Sequence, residues 1–247
     1  MSLPLAIHWH DEIDSTNEAA KRIAQAGPFA PQWIAARRQT AGRGRLGRGW
    51  ASPDGNLFAT ALLPVPGGVV DALKLPFAAA LAVYDMISQY AGSTLGLGLK
   101  WPNDVRHEGR KLSGILVESG ATADGNWAAV GMGVNLTHVP DALDQPAACL
   151  AGLMTGGEMP SPEMALGVLA GRLEARTEEA WRDFAITREA WCQRAEGRDA
   201  PIRAKVQDEL VEGLFDGLDL DGGLILRLPS GVRRTIRAGD VELVRRV

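Results

Sequence analysis

The stretch at positions 39–50, QTAGRGRLGRGW, limits the fold more than any other part of the chain. Gly42, Gly44 and Gly47 fit the spacing G-x-G-x-x-G, which in a dinucleotide-binding fold follows a hydrophobic strand and opens a helix. The flanks here are RRQTA and the turn-rich WASPDGN, so a doubly wound dinucleotide fold is rejected. What remains is a segment with neither helical nor strand period, carrying Arg43, Arg45 and Arg48 among its glycines. Glycine frees the backbone, and guanidinium forks match carboxylates and phosphates. The segment reads as a cationic clasp. By itself it reads equally well as a solvated flexible loop or an RNA contact.

The rest of the chain supplies a mixed framework. Ser15 and Glu18 form an S-x-x-E capping box, and Gly27-Pro28 closes the helix that it opens. Positions 33–37 and 56–63 read as strands, and 71–90 as a long helix ending at Gly92. Further strands are expected at 97–101, 113–118 and 127–135, the first two joined by Pro102-Asn103-Asp104, a short strand-like piece and a turn at His107-Glu108-Gly109. A loop-rich connection at 146–160 leads into two amphipathic helices over 163–193. Near Gly197 the composition changes to short β-like runs between glycine turns, at 201–206, 210–216, 223–228, 232–236 and 241–244. Such spacing predicts a small β-barrel appended to the main domain. The expected division is 1–196 and 197–247, and 247 residues bury enough surface to need no disulfide or metal staple.

The formal net charge of −4 argues against a protein built to coat nucleic acid. Cys149 and Cys192 lie far apart with no CxxC, which suggests a reducing compartment and two core thiols. The opening residues lack the basic and apolar regions of a signal peptide, and no run reaches the roughly 20 apolar residues of a membrane span. A cytoplasmic protein is expected. His8 and His10 have no third ligand nearby, so no metal site is assigned.

Three other segments carry chemistry. In KWPNDV (100–105) the proline is expected to fix a turn that presents Asn103 and Asp104 at a mouth rather than in the ladder. A hairpin-like return would bring Lys111 of KLSGILVE (111–118) close to Asp104; the alternative is a turn cap and an exposed ion pair worth at most about 1 kcal/mol. Gly131 and Gly133, ahead of Asn135, mark either a close approach or a β-bulge. Ser15-Thr16-Asn17 caps a helix whose free N–H groups also suit an anionic or carbonyl oxygen.

In order, DSTNEA, QTAGRGRLGRGW, KWPNDV, KLSGILVES and VGMGVNL resemble the motif series of biotin protein ligases, from about position 13 to 136. The small β unit resembles that family's SH3-like C-terminal domain. The resemblance implies an α+β fold with a mixed sheet flanked by helices, like class II aminoacyl-tRNA synthetases. It implies that biotin and ATP give biotinyl-adenylate and pyrophosphate, after which an acceptor lysine on a carboxylase carrier domain attacks the acyl carbon. Lys111, Arg43 and Asp104 then become the catalytic candidates: Lys111 on the biotin carboxylate and α-phosphate, Asp104 steering the acceptor's proton. On the biotin side the resemblance implies Ser15, Thr16, Asn17 and Gln39, with Gly42, Arg43, Gly44 and Arg45 of the loop and with Lys111 and Gly114. On the ATP side it implies Arg45, Arg48, Trp50 and Asn103, with Lys111, Gly133 and Asn135. Mg²⁺ is expected on the nucleotide phosphates, with no protein cage. Residues 42–49 are expected to be mobile without ligand and to fold over the adenylate, excluding water. The short stretch before Asp14 has no room for the helix-turn-helix domain of repressor members, so DNA is not an expected partner; a homodimer through the main sheet is suggested. A lipoate ligase would share the fold and the chemistry, but the arginine-rich loop and KWPND favour biotin. A non-catalytic RNA binder would want paired aromatics and basic charge that the chain lacks.

Overall fold

The computed structural model describes residues 5–139, 145–206, 209–237 and 239–244. The chain opens with β1 (Ala6–Ile13), α1 (Thr16–Ala26) and β2 (Gln32–Gln39), and β1 pairs with β2 in parallel across the intervening helix. β3 (Leu57–Pro64), α2 (Val69–Ala72) and α3 (Leu75–Ala91) follow. β4 (Leu97–Lys100), β5 (Asp104–His107), β6 (Arg110–Thr122) and β7 (Gly125–Val134) complete a seven-stranded sheet of order β1-β2-β3-β7-β6-β5-β4. Every neighbouring pair except β1 and β2 is antiparallel. The mixed sheet expected from the motifs is present.

Helices cover both faces. α1 lays Ala19, Ala20 and Ala24 on Ile34, Leu62, Trp127 and Ala129. On the opposite face α3 is buried around most of its circumference, because α4 (Pro162–Arg182) and α5 (Phe184–Gln193) pack on its outer side. The Ser15 hydroxyl accepts from the Glu18 N–H at 3.4 Å, as the capping box requires. Only half of the box is made, since the Ser15 N–H donates to Asp14 Oδ1 at 2.8 Å and leaves the Glu18 carboxylate free to turn elsewhere.

Three expectations need correction. The single helix read over 71–90 is two, because Pro76 has no N–H to continue a helical ladder and sits instead in the first turn of α3. The strand read over 113–118 runs from Arg110 to Thr122, turning at Ala123-Asp124 with Gly125 at φ 128°. Asp104 is the first residue of β5 and lies in the ladder, paired with Lys100 and Gly114, where it was expected outside. β1 carried no strand pattern because it is an edge strand exposed on both faces.

The C-terminal runs form β8 (Pro201–Val206), β9 (Glu209–Leu218), β10 (Leu224–Arg227), β11 (Arg233–Ile236) and β12 (Asp240–Leu243). They make one antiparallel sheet of order β11-β10-β9-β8-β12. An aromatic cluster fastens it to the helices: Phe77 meets Phe184 and Trp191 edge-on at 5.7 Å, and Trp191 meets Phe215 at 6.4 Å. The Trp101 indole N–H also donates to the Gly222 carbonyl at 3.0 Å. Cys192 is buried and Cys149 half-buried, and both thiols are free. No helix among the described residues is long and apolar enough to cross a membrane.

Trp191 is 1 % exposed at the junction of α3, α5 and β9. Trp191→Ala is therefore expected to lower unfolding free energy by about 3–5 kcal/mol, read from the urea midpoint. An unshifted midpoint would remove this cluster as the tie between the two sheets.

Candidate active site

Strand register builds the floor of the site. Lys100, Asp104, Gly114, Gly133 and Phe58 stand directly opposite one another across β4, β5, β6, β7 and β3. Two residues along, Leu116, Gly131 and Thr60 form a second row on the same face. The glycines make hollows in these rows. A Cβ on Gly133 would lie 2.5 Å from the Trp50 ring, and one on Gly131 would collide with Asn17 Oδ1. The close-approach reading of Gly131 and Gly133 is the one observed, and the close neighbours are Asn17 and Trp50.

Above the second row, the start of α1 is locked by hydrogen bonds. Asn17 Nδ2 donates to the Leu116 carbonyl (3.2 Å) and to Glu118 Oε2 (3.0 Å). The fully buried Thr60 hydroxyl lies 2.7 Å from Asn17 Oδ1 and 2.8 Å from Thr16 Oγ1. Asn17 Oδ1 can only accept, so the Thr60 proton goes there. Gln39 Oε1 accepts from the Thr16 N–H at 2.9 Å, while Gln39 Nε2 donates to Ser52 Oγ at 3.1 Å.

Above the first row lies the arginine-rich segment, folded as a flap. Arg43 and Gly49 form an antiparallel bridge around a 3₁₀ turn at Arg45–Gly47, and the Trp50 N–H donates to the Gly42 carbonyl at 2.9 Å. Arg43 pairs with Glu18, and Arg45 Nη1 donates to Asn103 Oδ1 at 3.3 Å. Lys111 Nζ is 2.8 Å from Asp104 Oδ1 and 5.3 Å from the centre of the Trp50 ring, with both charged side chains largely buried. The backbone of Lys111 is held between Pro146 and Ala148, and Asn135 Nδ2 donates to the Ala148 carbonyl at 3.1 Å.

These groups line one cavity of about 400 Å³, within the range of small-molecule sites. Ser15, Thr16, Asn17, Gln39, Arg43, Gly44, Arg45, Arg48, Trp50, Asn103, Asp104, Lys111, Gly114, Gly133 and Asn135 all border it. Gly42 does not. A Cβ there would come 2.5 Å from the Trp50 carbonyl, so Gly42 closes the base of the flap. Sequence reasoning missed Thr60, Glu18, Glu118 and Glu242, the last reaching the cavity wall from the C-terminal sheet. Thr60 left a signal, as the only hydroxyl in the apolar run NLFATALL.

A model of the biotin/lipoate A/B protein ligase family matches residues 9–135, and one of the biotin protein ligase C terminal domain matches residues 200–244. The biotin–[acetyl-CoA-carboxylase] ligase of Paracoccus denitrificans is 42% identical over 235 residues, covering 92% of this chain and 96% of that protein. The chain belongs to the biotin protein ligase family. The Mycobacterium tuberculosis protein of the same name is 36% identical over 246 residues, covering 95% of this chain and 87% of that one. The fold matches that of the Aquifex aeolicus biotin protein ligase solved with biotin and ATP, with a TM-score of 0.80, 26% identity and coverage of 98% and 99% of the two chains.

Burial works to raise the Glu118 carboxyl pKa, but hydrogen bonds from Lys21 and Asn17 and the charges of Lys21 and Arg43 outweigh it and hold the group below its usual range. A lowered native value stabilises the fold fully above the unfolded value, and the gain is lost as pH falls through the native one. Glu118→Gln is expected to destabilise at about pH 7, and the difference from wild type should shrink only as pH falls below the ordinary glutamate value of about 4.3. Parallel urea-midpoint curves over that range would contradict the assignment.

Proposed function

We propose that this chain joins biotin to ATP as biotinyl-5′-AMP, releasing pyrophosphate, and then passes the biotinyl group to a lysine of a carboxylase carrier domain. The observation that carries the reading is the meeting of Lys111 and three flap arginines with the hydrogen-bonded start of α1 around one cavity. The C-terminal domain match and the carboxylase-ligase relatives favour biotin over lipoate.

The first step presses a carboxylate onto an α-phosphate that is already surrounded by negative charge. Cations fixed in advance offset that repulsion most effectively where water is excluded. Lys111 takes the carboxylate and α-phosphate, held in place by Asp104 on one side and the Trp50 face on the other. Arg43, Arg45 and Arg48 supply further positive charge from the flap. Ser15, Thr16, Asn17 and Gln39 meet the polar head of biotin, with Gly44 and Gly114 leaving room beside them. Trp50 and Arg48 frame the adenine over Gly133, while Asn103 and Asn135 orient phosphate or ribose. The flap keeps water from the anhydride while it is folded down.

Mg²⁺ enters on the triphosphate in this reading. Among the described residues no group of three or more histidine, cysteine or acidic side chains could hold a metal ion, and Asp104 is already engaged by Lys111. The reading therefore leaves the divalent cation to the nucleotide phosphates. The reading also includes a homodimer through the main sheet, where β1 is the outer strand, and a cytoplasmic location.

In the second step the acceptor lysine must lose a proton before it attacks the acyl carbon, and AMP leaves. Asp104, at the same spot as Lys111, steers that proton.

Incubation with biotin, ATP, magnesium and a carrier domain, read by intact mass, should add one biotinyl group to the carrier; an unmodified carrier would refute the reading. Lys111→Ala is expected to cost about 3 kcal/mol or more in the adenylation transition state, seen as loss of ATP–pyrophosphate exchange. An unchanged exchange rate would take Lys111 out of the mechanism. Asp104→Ala should slow adenylate formation, since Lys111 loses its anchor, and should slow transfer from preformed adenylate further still; transfer slowed no more than formation would reassign Asp104 to holding Lys111 alone.

A further inference from the structure

Arg43 and Arg45 leave the flap toward different supports. Arg45 reaches Asn103 after β4, while Arg43 pairs with Glu18 in the first turn of α1. Glu18 is free for this because Asp14 has taken the Ser15 N–H that a complete capping box would give it. The Glu18 carboxylate instead meets Lys21 Nζ at 2.8 Å as well as Arg43. Lys21 also lies 2.7 Å from Glu118 Oε1, and Glu118 Oε2 holds Asn17. Two carboxylates are thereby matched by two cations, all of them partly shielded from water. If Arg43 lifted away, the two carboxylates would share a single ammonium, leaving excess negative charge beside Asn17. The balance of charge favours the flap down.

We infer that Glu18 is a positioning residue: through Arg43 it pins the flap over the cavity and retains the activated intermediate until the acceptor arrives. The inference rests on the ligase reading above. Glu18 does not border the cavity, so it acts on retention through Arg43 and takes no part in bond making. The link is a partly exposed ion pair, so salt weakens it. Asn17 and Arg43 are linked through three charged groups, Glu118, Lys21 and Glu18, which joins the head-group end of the pocket to the flap.

The test uses the full chain as wild type, E18Q, R43Q and the double variant E18Q–R43Q, each loaded with biotin and ATP without carrier. Glutamine keeps the shape of the side chain and the hydroxyl half of the cap but removes the charge. In E18Q, release of biotinyl-adenylate into an excess of unlabelled biotin and ATP should quicken about tenfold, equivalent to about 1.4 kcal/mol. Its formation in a single turnover at saturating substrate should stay near the wild-type rate, a split that general destabilisation would not produce. The double variant should release adenylate no faster than R43Q alone, because the two changes break one interaction. Added potassium chloride should quicken release more in wild type than in E18Q. Normal formation with unchanged release in E18Q overturns the inference, and so do additive effects in the double variant. If E18Q loses its melting transition, E18R–R43E decides: release slower than in R43E supports the pin, and equal release overturns it. A wild-type protein that forms no adenylate would refute the ligase reading itself, a result distinct from each of these.

Discussion

The site depends on strand register. Gly114 and Gly133 are neighbours because β6 and β7 pair in one alignment, and the same alignment brings Asp104 beside Gly114 and Phe58 beside Gly133. A slip of one residue would turn these positions to the other face, put bulk under Trp50 and carry Asp104 away from Lys111. The antiparallel block β3-β7-β6-β5 therefore specifies the cavity before any loop is added. α1 and the flap then rest in the hollows that glycines leave in its two rows, Asn17 over Gly131 and Trp50 over Gly133.

Charge is arranged on that floor in pairs of differing burial. Lys111 and Asp104 are largely shielded, and a pair in that setting gains from attraction only what it does not lose in desolvation. It is better understood as a means of holding an ammonium in place than as a source of stability. The flap arginines sit nearer water, where their attraction is weaker and responds to salt. The shielded cation thus belongs to the sheet and the salt-responsive ones to the flap, a division suited to chemistry between two anions.

Much of this was legible in the sequence because it is local. The Ser15 cap, the small strands after Gly197 and the rejection of a dinucleotide fold each follow from residues a few positions apart. The motif segments could be recognised one by one, and almost every residue taken from them borders the cavity. What sequence did not reveal is pairwise and distant. Glu18 read as half of a capping box, but its partner Arg43 is known only once β2 has carried the flap back over α1. Glu118 looked like the end of an apolar strand, and its hold on Asn17 spans about a hundred positions. Asp104 was expected outside the ladder because a proline precedes it, yet the strand begins at the next residue but one after Pro102. β1, with water on both faces, had no alternation to betray it.

The KWPND segment has a foot in each sheet. Asp104 faces the cavity, while three residues earlier the Trp101 indole is buried and bound to the Gly222 carbonyl, whose residue packs so closely on Phe77 that a side chain there would collide. The small sheet therefore acts as a keel for the turn that carries Asn103 and Asp104. A chain cut after α5 would strip the acceptor from a buried donor and leave the turn that carries Asn103 and Asp104 without that support.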